Sequence, residues 1–331
     1  MQDGTRTFDL LDRALLRVYV ALVCLASLTT TSCARDERGA EPRGPLIVYN
    51  AGSLARPLRA ALDSFSARSG IPFEQESAGS LESARKLTEL GKVPDLIALA
   101  DHEVFPQILM PEHVTWYARF ARNRMVLMHS DQSRFASEIT PDNWREVVLR
   151  PGVEIGRADP NLDPAGYRAL MAMQLAEMHY GEGGLAKRLL DAAPERNVRS
   201  KEVDLVALVQ AGELDYVWIY ESIARATGLR FVRLRHEMDL GFPQDSGRYD
   251  SAVVRVLGKG VGDTITLRGS PIIYGFSIPV NAPHPEVARE FAAFLLGEGK
   301  GIMRAAHLPV YERAVVVGTG APADITAAVA P

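Results

Sequence analysis

Gly156-Arg157-Ala158-Asp159-Pro160-Asn161-Leu162-Asp163-Pro164-Ala165-Gly166-Tyr167-Arg168 places two carboxylates and an amide in a short loop with two prolines. An apolar helical run follows at once, through Ala169, Leu170, Met173, Leu175 and Ala176. Asp, Asn and Pro suit that junction because they satisfy or spare the open N–H groups of a first helical turn. A helix N-terminus also welcomes anions. Two acids at such a point are therefore either caps or part of a chemistry that tolerates negative charge.

Outward from this loop, apolar runs alternate with helical patterns, which predicts an α/β architecture. Leu46 to Asn50 reads as a strand, followed by the small-residue turn Ala51-Gly52-Ser53-Leu54 and a helix with Leu54, Leu58, Ala61, Leu62 and Phe65 on one face. Pro72 to Glu76 reads as a second strand, and Ser77-Ala78-Gly79-Ser80 opens a helix carrying Leu81, Ala84, Leu87 and Leu90. Pro94 to Ala100 is a third strand. Small Gly and Ser residues thus recur at the carboxyl ends of successive strands, where open α/β sheets bind ligands against helix N-termini. The same turns also simply turn and cap.

Further strands are expected at Met125–His129, Val153–Gly156, Leu214–Tyr220, Val253–Leu257 and Thr264–Leu267, with a strongly apolar stretch from Pro271 to Val280. Helices are expected at Thr140–Val148, Tyr167–Tyr180, Glu202–Ala211 and Glu286–Leu296. This order allows two lobes, residues 45–125 with 270–315 and residues 126–269, followed by a tail over 316–331. The chain would then cross between lobes twice, and a cleft between them could close by hinge motion.

The 331 residues carry a net charge of −4, 47% hydrophobic and 24% charged residues, ordinary values for a globular chain without a nucleic-acid footprint. The N-terminus differs. Arg13 and Arg17 precede an apolar run from Val18 to Leu28 and then Thr29-Thr30-Thr31-Ser32-Cys33. This has the make-up of an export signal over residues 1–33, too short for a spanning helix. Small residues before Cys33 resemble a bacterial lipoprotein processing site, although Thr30 stands where Leu is usual. Cleavage there would leave Cys33 as the lipid-bearing first residue and residues 34–44 as a polar tether. Cys24 falls in the signal, so no intrachain disulfide or Cys-based redox site remains.

Ala51-Gly52-Ser53-Leu54, Ser77-Ala78-Gly79-Ser80, the Gly156–Asp163 string, Gly166-Tyr167-Arg168-Ala169-Leu170-Met171, Gly212-Glu213-Leu214-Asp215-Tyr216 and Pro271-Ile272-Ile273-Tyr274-Gly275 together resemble the tungstate/molybdate-binding lipoproteins of ABC importers. The resemblance spans residues 45–310. It implies a type II periplasmic binding protein: two lobes with mixed sheets, a two-strand hinge, and an oxoanion held in the cleft between them. It also implies a monomeric, exported, lipid-anchored protein on the periplasmic side of a bacterial membrane. The partners implied are a permease with its ATPase, and no cofactor beyond the tungstate or molybdate ligand.

By the same resemblance, Gly52, Ser53 and Ser80 donate hydrogen bonds to the oxoanion, and Asn161 and Tyr249 are further candidates. One carboxylate reaching the metal is Asp163 or its loop neighbour Asp159. The second belongs in Tyr216–Ser222, where Glu221 is the only acid after the strand, although Ile219 stands where the family's Glu falls beside the Tyr. Ala165 replaces a frequent Cys. Carboxylates would repel sulfate or phosphate, whereas W(VI) and Mo(VI) are large Lewis acids that accept hard oxygen donors. Another ligand, such as the anions sulfate and phosphate or the cation ferric iron, is the alternative. A secreted hydrolase is the alternative class, but no Gly-x-Ser-x-Gly, His-Glu-x-x-His or Cys–His arrangement supports it.

Overall fold

The computed structural model describes residues 44–258 and 262–329; the expected signal segment, Cys33 and residues 34–43 of the tether lie outside them. Among the described residues thirteen strands run in the order β1 Leu46–Ala51, β2 Phe73–Ala78, β3 Leu96–Leu99, β4 Trp116–Arg122, β5 Met125–His129, β6 Ile155–Ala158 and β7 Val198–Arg199, then β8 Tyr216–Tyr220, β9 Arg230–Arg233, β10 Val253–Leu257, β11 Thr264–Arg268, β12 Ile273–Ser277 and β13 Val310–Gly318. They form a six-stranded sheet ordered β13-β4-β12-β3-β1-β2, a five-stranded sheet ordered β7-β6-β8-β5-β9, and the β10-β11 hairpin.

Both larger sheets are mixed. β1 runs parallel to β2 and β3, while β12 runs antiparallel to β3 and β4. In the second sheet β6 and β8 are parallel, and β5 is antiparallel to β8 and β9. The parallel pairs need helical crossovers, and these supply the strand-to-helix junctions. The chain leaves the six-stranded sheet after Arg122 and enters the five-stranded sheet at Met125. It returns to the first sheet at β12, where the Asn123 N–H donates to the Ile272 carbonyl at 3.1 Å. The two sheets therefore meet at a narrow backbone crossing.

Local chemistry explains the elements. The helix Ala55–Ser69 buries Leu58, Ala61, Leu62 and Phe65 and ends on Gly70, whose φ of 72° gives the left-handed C-terminal turn. The helix Pro164–Tyr180 starts on an Asp163 cap with Pro in its first turn, and ends on Gly181 at φ 63°. It begins three residues before the Tyr167 expected from the apolar run, because Pro164 and Ala165 already take helical geometry. β8 is buried at all five positions. Its alternation sends Tyr216, Trp218 and Tyr220 to the main core and Val217 and Ile219 to a second core with Val126, Met128, Leu205 and Val209.

Two features depart from the expected layout. β4, β7 and β9 are additional strands. The C-terminal segment is no free tail: Val315 to Gly318 pair with Arg119 to Trp116 of β4, and Ala323–Val329 forms a further helix. A Val-rich stretch beside the six-stranded sheet gains more from pairing than from exposure.

Candidate functional site

The loop between β6 and the helix Pro164–Tyr180 is folded by its own polar groups. The Asn161 N–H donates to Asp159 Oδ1 at 2.8 Å, an Asx turn. The Leu162 and Asp163 N–H groups both donate to the Asp159 carbonyl, at 3.1 and 2.9 Å. Asp159 is thus the turn-former of the pair. Asn161 faces the hairpin, where its Oδ1 accepts from the Leu257 N–H at 3.0 Å.

The loop also closes against the first sheet. The Leu162 carbonyl accepts from the Leu81 and Glu82 N–H groups, at 3.2 and 3.4 Å, so a loop carbonyl occupies the first turn of the helix Ser80–Thr88. A Cβ on Gly79 would stand 2.1 Å from that carbonyl. Gly79→Ala must therefore push the loop away, at a cost of about 1–3 kcal/mol. Chemical denaturation of the variant should register that loss, and an unchanged midpoint would contradict the close approach.

Asp163 has a different task. It is 1% exposed; Oδ1 accepts the Ala165 N–H at 2.9 Å, and Oδ2 accepts the Glu202 N–H at 3.2 Å. Glu202 is equally buried. Neither of its carboxyl oxygens completes a hydrogen bond, although the Asp163 carboxyl and the Ser53 hydroxyl lie within interaction range. Burial pushes both carboxyls above the usual range, and Asp163 pushes Glu202 further. Two ionised carboxylates repel each other in this dry site, which favours a proton shared between them.

Around the pair runs a chain of neutral donors. The Tyr274 hydroxyl donates to Ser53 Oγ at 3.0 Å, and Asn123 Nδ2 donates to Tyr274 Oη at 2.9 Å and to Ser222 Oγ at 2.7 Å. Burial first, and then Glu202, holds the Tyr274 hydroxyl protonated. Ser80 Oγ accepts the Ala100 N–H at 2.9 Å, which leaves its hydrogen to donate. Gly52, Ser53, Val203, Ser222 and Ile223 line a cleft of about 510 Å³, far larger than one small anion. Its walls come from both sides of the crossing.

A buried ion pair ties the same two sides together. Arg168 Nη2 lies 3.1 Å from Asp101 Oδ2, and Arg168 Nη1 donates to the Ala100 carbonyl and the Tyr220 hydroxyl, each at 2.7 Å. Tyr167 donates to Asp101. Burial alone would raise the Asp101 carboxyl, but Arg168 and then His102 hold it below the usual range. Arg168 is thus no surface cation, and its charge is matched locally.

Two expected site residues stand elsewhere. Glu221 is claimed by three guanidinium groups, with contacts of 2.8 Å to Arg124, 2.6 Å to Arg225 and 2.9 Å to Arg233. Its place at the end of β8 turns it into that cluster and gives it no contact with Asp163. The Tyr249 hydroxyl donates to the His236 carbonyl and accepts the Phe242 N–H at 3.3 Å, so it serves packing. Glu202, Asn123 and Ser222 are the residues that sequence reasoning missed. Glu202 looks like an ordinary first-turn acid in Lys201-Glu202-Val203-Asp204, and only the fold brings it to Asp163.

Near Tyr249, burial pushes the Asp239 carboxyl up to about 7, against the Gly241 N–H and Arg124. A raised folded-state value contributes stability below the unfolded pKa that is lost as pH rises through 7. Asp239→Asn should therefore lose less stability than the parent protein between pH 5 and 8, by about 1–3 kcal/mol. Parallel pH profiles for the two proteins would refute this.

Two mixed sheets, a double backbone crossing and a polar junction between them constitute a periplasmic-binding-protein-like fold. The chain belongs to the bacterial extracellular solute-binding proteins, whose family model matches residues 46–308. An uncharacterised solute-binding protein of Petrotoga mobilis is 42% identical over 262 residues, covering 78% of this chain and 82% of the relative. The molybdate/tungstate-binding protein WtpA of Pyrococcus abyssi is 33% identical over 319 residues, covering 88% and 89%. The structure of the sulfate-binding protein SubI of Mycobacterium tuberculosis superposes with a TM-score of 0.58 at 14% identity, covering 80% of this chain and 87% of SubI. The family and these relatives are solute-binding proteins, not enzymes. Among the described residues no helix is long and apolar enough to cross a membrane.

Proposed function

We propose that the protein captures tungstate or molybdate outside the cytoplasm and delivers it to an ABC permease driven by a separate ATPase. Lipid on Cys33 would hold it at the membrane, and the two sheet-bearing lobes would close on the anion about the crossing at Asn123. The observation that carries the ligand reading is Glu202, buried beside Asp163 with neither oxygen hydrogen-bonded. A tetrahedral dianion of sulfur or phosphorus is repelled by an ionised carboxylate and has no vacant coordination position to take its oxygen. W(VI) and Mo(VI) accept additional oxygen ligands, so the same carboxylates become bonds to the metal. Ser53, Ser80 and the turn at Gly52 supply donors for the oxo groups. A molybdate/tungstate-binding relative at 33% identity over most of both chains supports the choice.

Calorimetric titration of the purified protein with tungstate, molybdate, sulfate and phosphate tests this reading. Tungstate and molybdate should bind at least about 100-fold more tightly than sulfate, a difference of ~3 kcal/mol. Equal affinity for sulfate would remove the role assigned to the carboxylates.

A further inference from the structure

A second cavity, of about 100 Å³, opens at the crossing and is lined in part by Arg122, Arg124, Glu221, Ser222, Arg225 and His307. Its size suits one small anion. Its charge is strongly unbalanced. Glu221 is the shared partner of Arg124, Arg225 and Arg233, and one carboxylate offsets only one of three guanidinium groups. Asp239 lies 3.9 Å from Arg124, but its carboxyl, pushed up to about 7 by burial, is ionised only in part at neutral pH. Arg122 at the end of β4 is exposed, and among the described residues its guanidinium pairs with no carboxylate. Positive charge therefore concentrates at this point on a chain whose net charge is −4.

The cavity also touches the cleft. Ser222 lines both, and its hydroxyl accepts from the Asn123 amide that also serves Tyr274 beside Ser53. From this placement we infer that the arginine cavity is a second oxoanion site, which gathers tetrahedral dianions by charge at the flank of the cleft. The inference goes beyond the cleft ligand, because the cavity has no unengaged carboxylate to face a metal. It should hold sulfate and tungstate alike, weakly and with strong salt dependence, as charged attraction focused by a cavity does. Tungstate entering the cleft would then associate faster than the negative chain alone allows.

The test uses the full chain with Arg122 as Arg, Gln or Glu, a graded charge series at an exposed position that should leave the melting temperature unchanged. Sulfate binding by calorimetry at low salt should weaken in the order Arg, Gln, Glu, by about tenfold across the series, one decade of affinity. Stopped-flow tungstate association should slow in the same order at low salt and converge at high salt, with dissociation unchanged. Sulfate binding and tungstate association both indifferent to residue 122 would overturn the inference. Sulfate binding as tight as tungstate in the parent protein, yet still sensitive to residue 122, would overturn the cleft-ligand reading and leave the cavity's role supported.

Discussion

Glu202→Gln is expected to weaken tungstate and molybdate binding by about 100-fold or more, equivalent to ~3 kcal/mol, while making the ligand-free protein more stable. The two effects share one cause. Glu202 and Asp163 are both about 99% removed from solvent, and burial raises both carboxyls. A group with a raised folded-state value contributes stability below its unfolded pKa and loses it as pH rises. Without an oxoanion the pair is therefore tolerated in acid and costly at alkaline pH. Gln keeps the shape and removes the charge, so the variant should gain about 1–3 kcal/mol over the parent at pH 8 and little at pH 4. Denaturant titrations at the two pH values, paired with calorimetry, separate the outcomes. A variant that binds tungstate normally would take Glu202 out of the site. Asp163→Asn is the companion change, since Asn also caps helices well and the helix Pro164–Tyr180 should survive it.

Arg168→Met should be the most destabilising single change near the site, at about 3–5 kcal/mol. It leaves Asp101 buried without its cation, and it strips the donor from the Ala100 carbonyl and the Tyr220 hydroxyl. Because Asp101 follows β3 of the six-stranded sheet and Arg168 sits on the helix after β6 of the other, the loss also removes a tie between the two sheets. Adding Asp101→Asn removes the orphaned charge and should recover part of the stability. A double-mutant cycle by urea unfolding measures the coupling. A loss below about 1 kcal/mol for Arg168→Met would show that the pair is idle.

How much of this was readable in the sequence depended on whether the decisive contact was local. The strand–turn–helix unit from Leu46 to Phe65 and the capped start of the helix at Pro164 are written in neighbouring residues, and the structure follows them. Asp159 and Asp163 could not be told apart by spacing. Backbone geometry separates them, since Asp159 closes the Asx turn while Asp163 caps the helix and meets the Glu202 N–H. Glu202 lies 39 residues beyond Asp163, and no local pattern marks a first-turn acid as buried rather than solvated. Glu221 is the converse case: it stands at the carboxyl end of a strand, as a site residue should, yet Arg124, Arg225 and Arg233 decide where its side chain goes. β13 was hidden for a similar reason, because a Val-rich C-terminal stretch reveals a strand only through its distant partner β4.

The central claim is that two carboxylates, Asp163 and Glu202, reach the metal of the bound oxoanion. X-ray absorption at the molybdenum edge of the molybdate-loaded protein reads this directly. The account predicts coordination expanded beyond the four oxygens of free molybdate, returning toward four in Glu202→Gln at saturating ligand. A tetrahedral spectrum in the parent protein, indistinguishable from free molybdate, would contradict it.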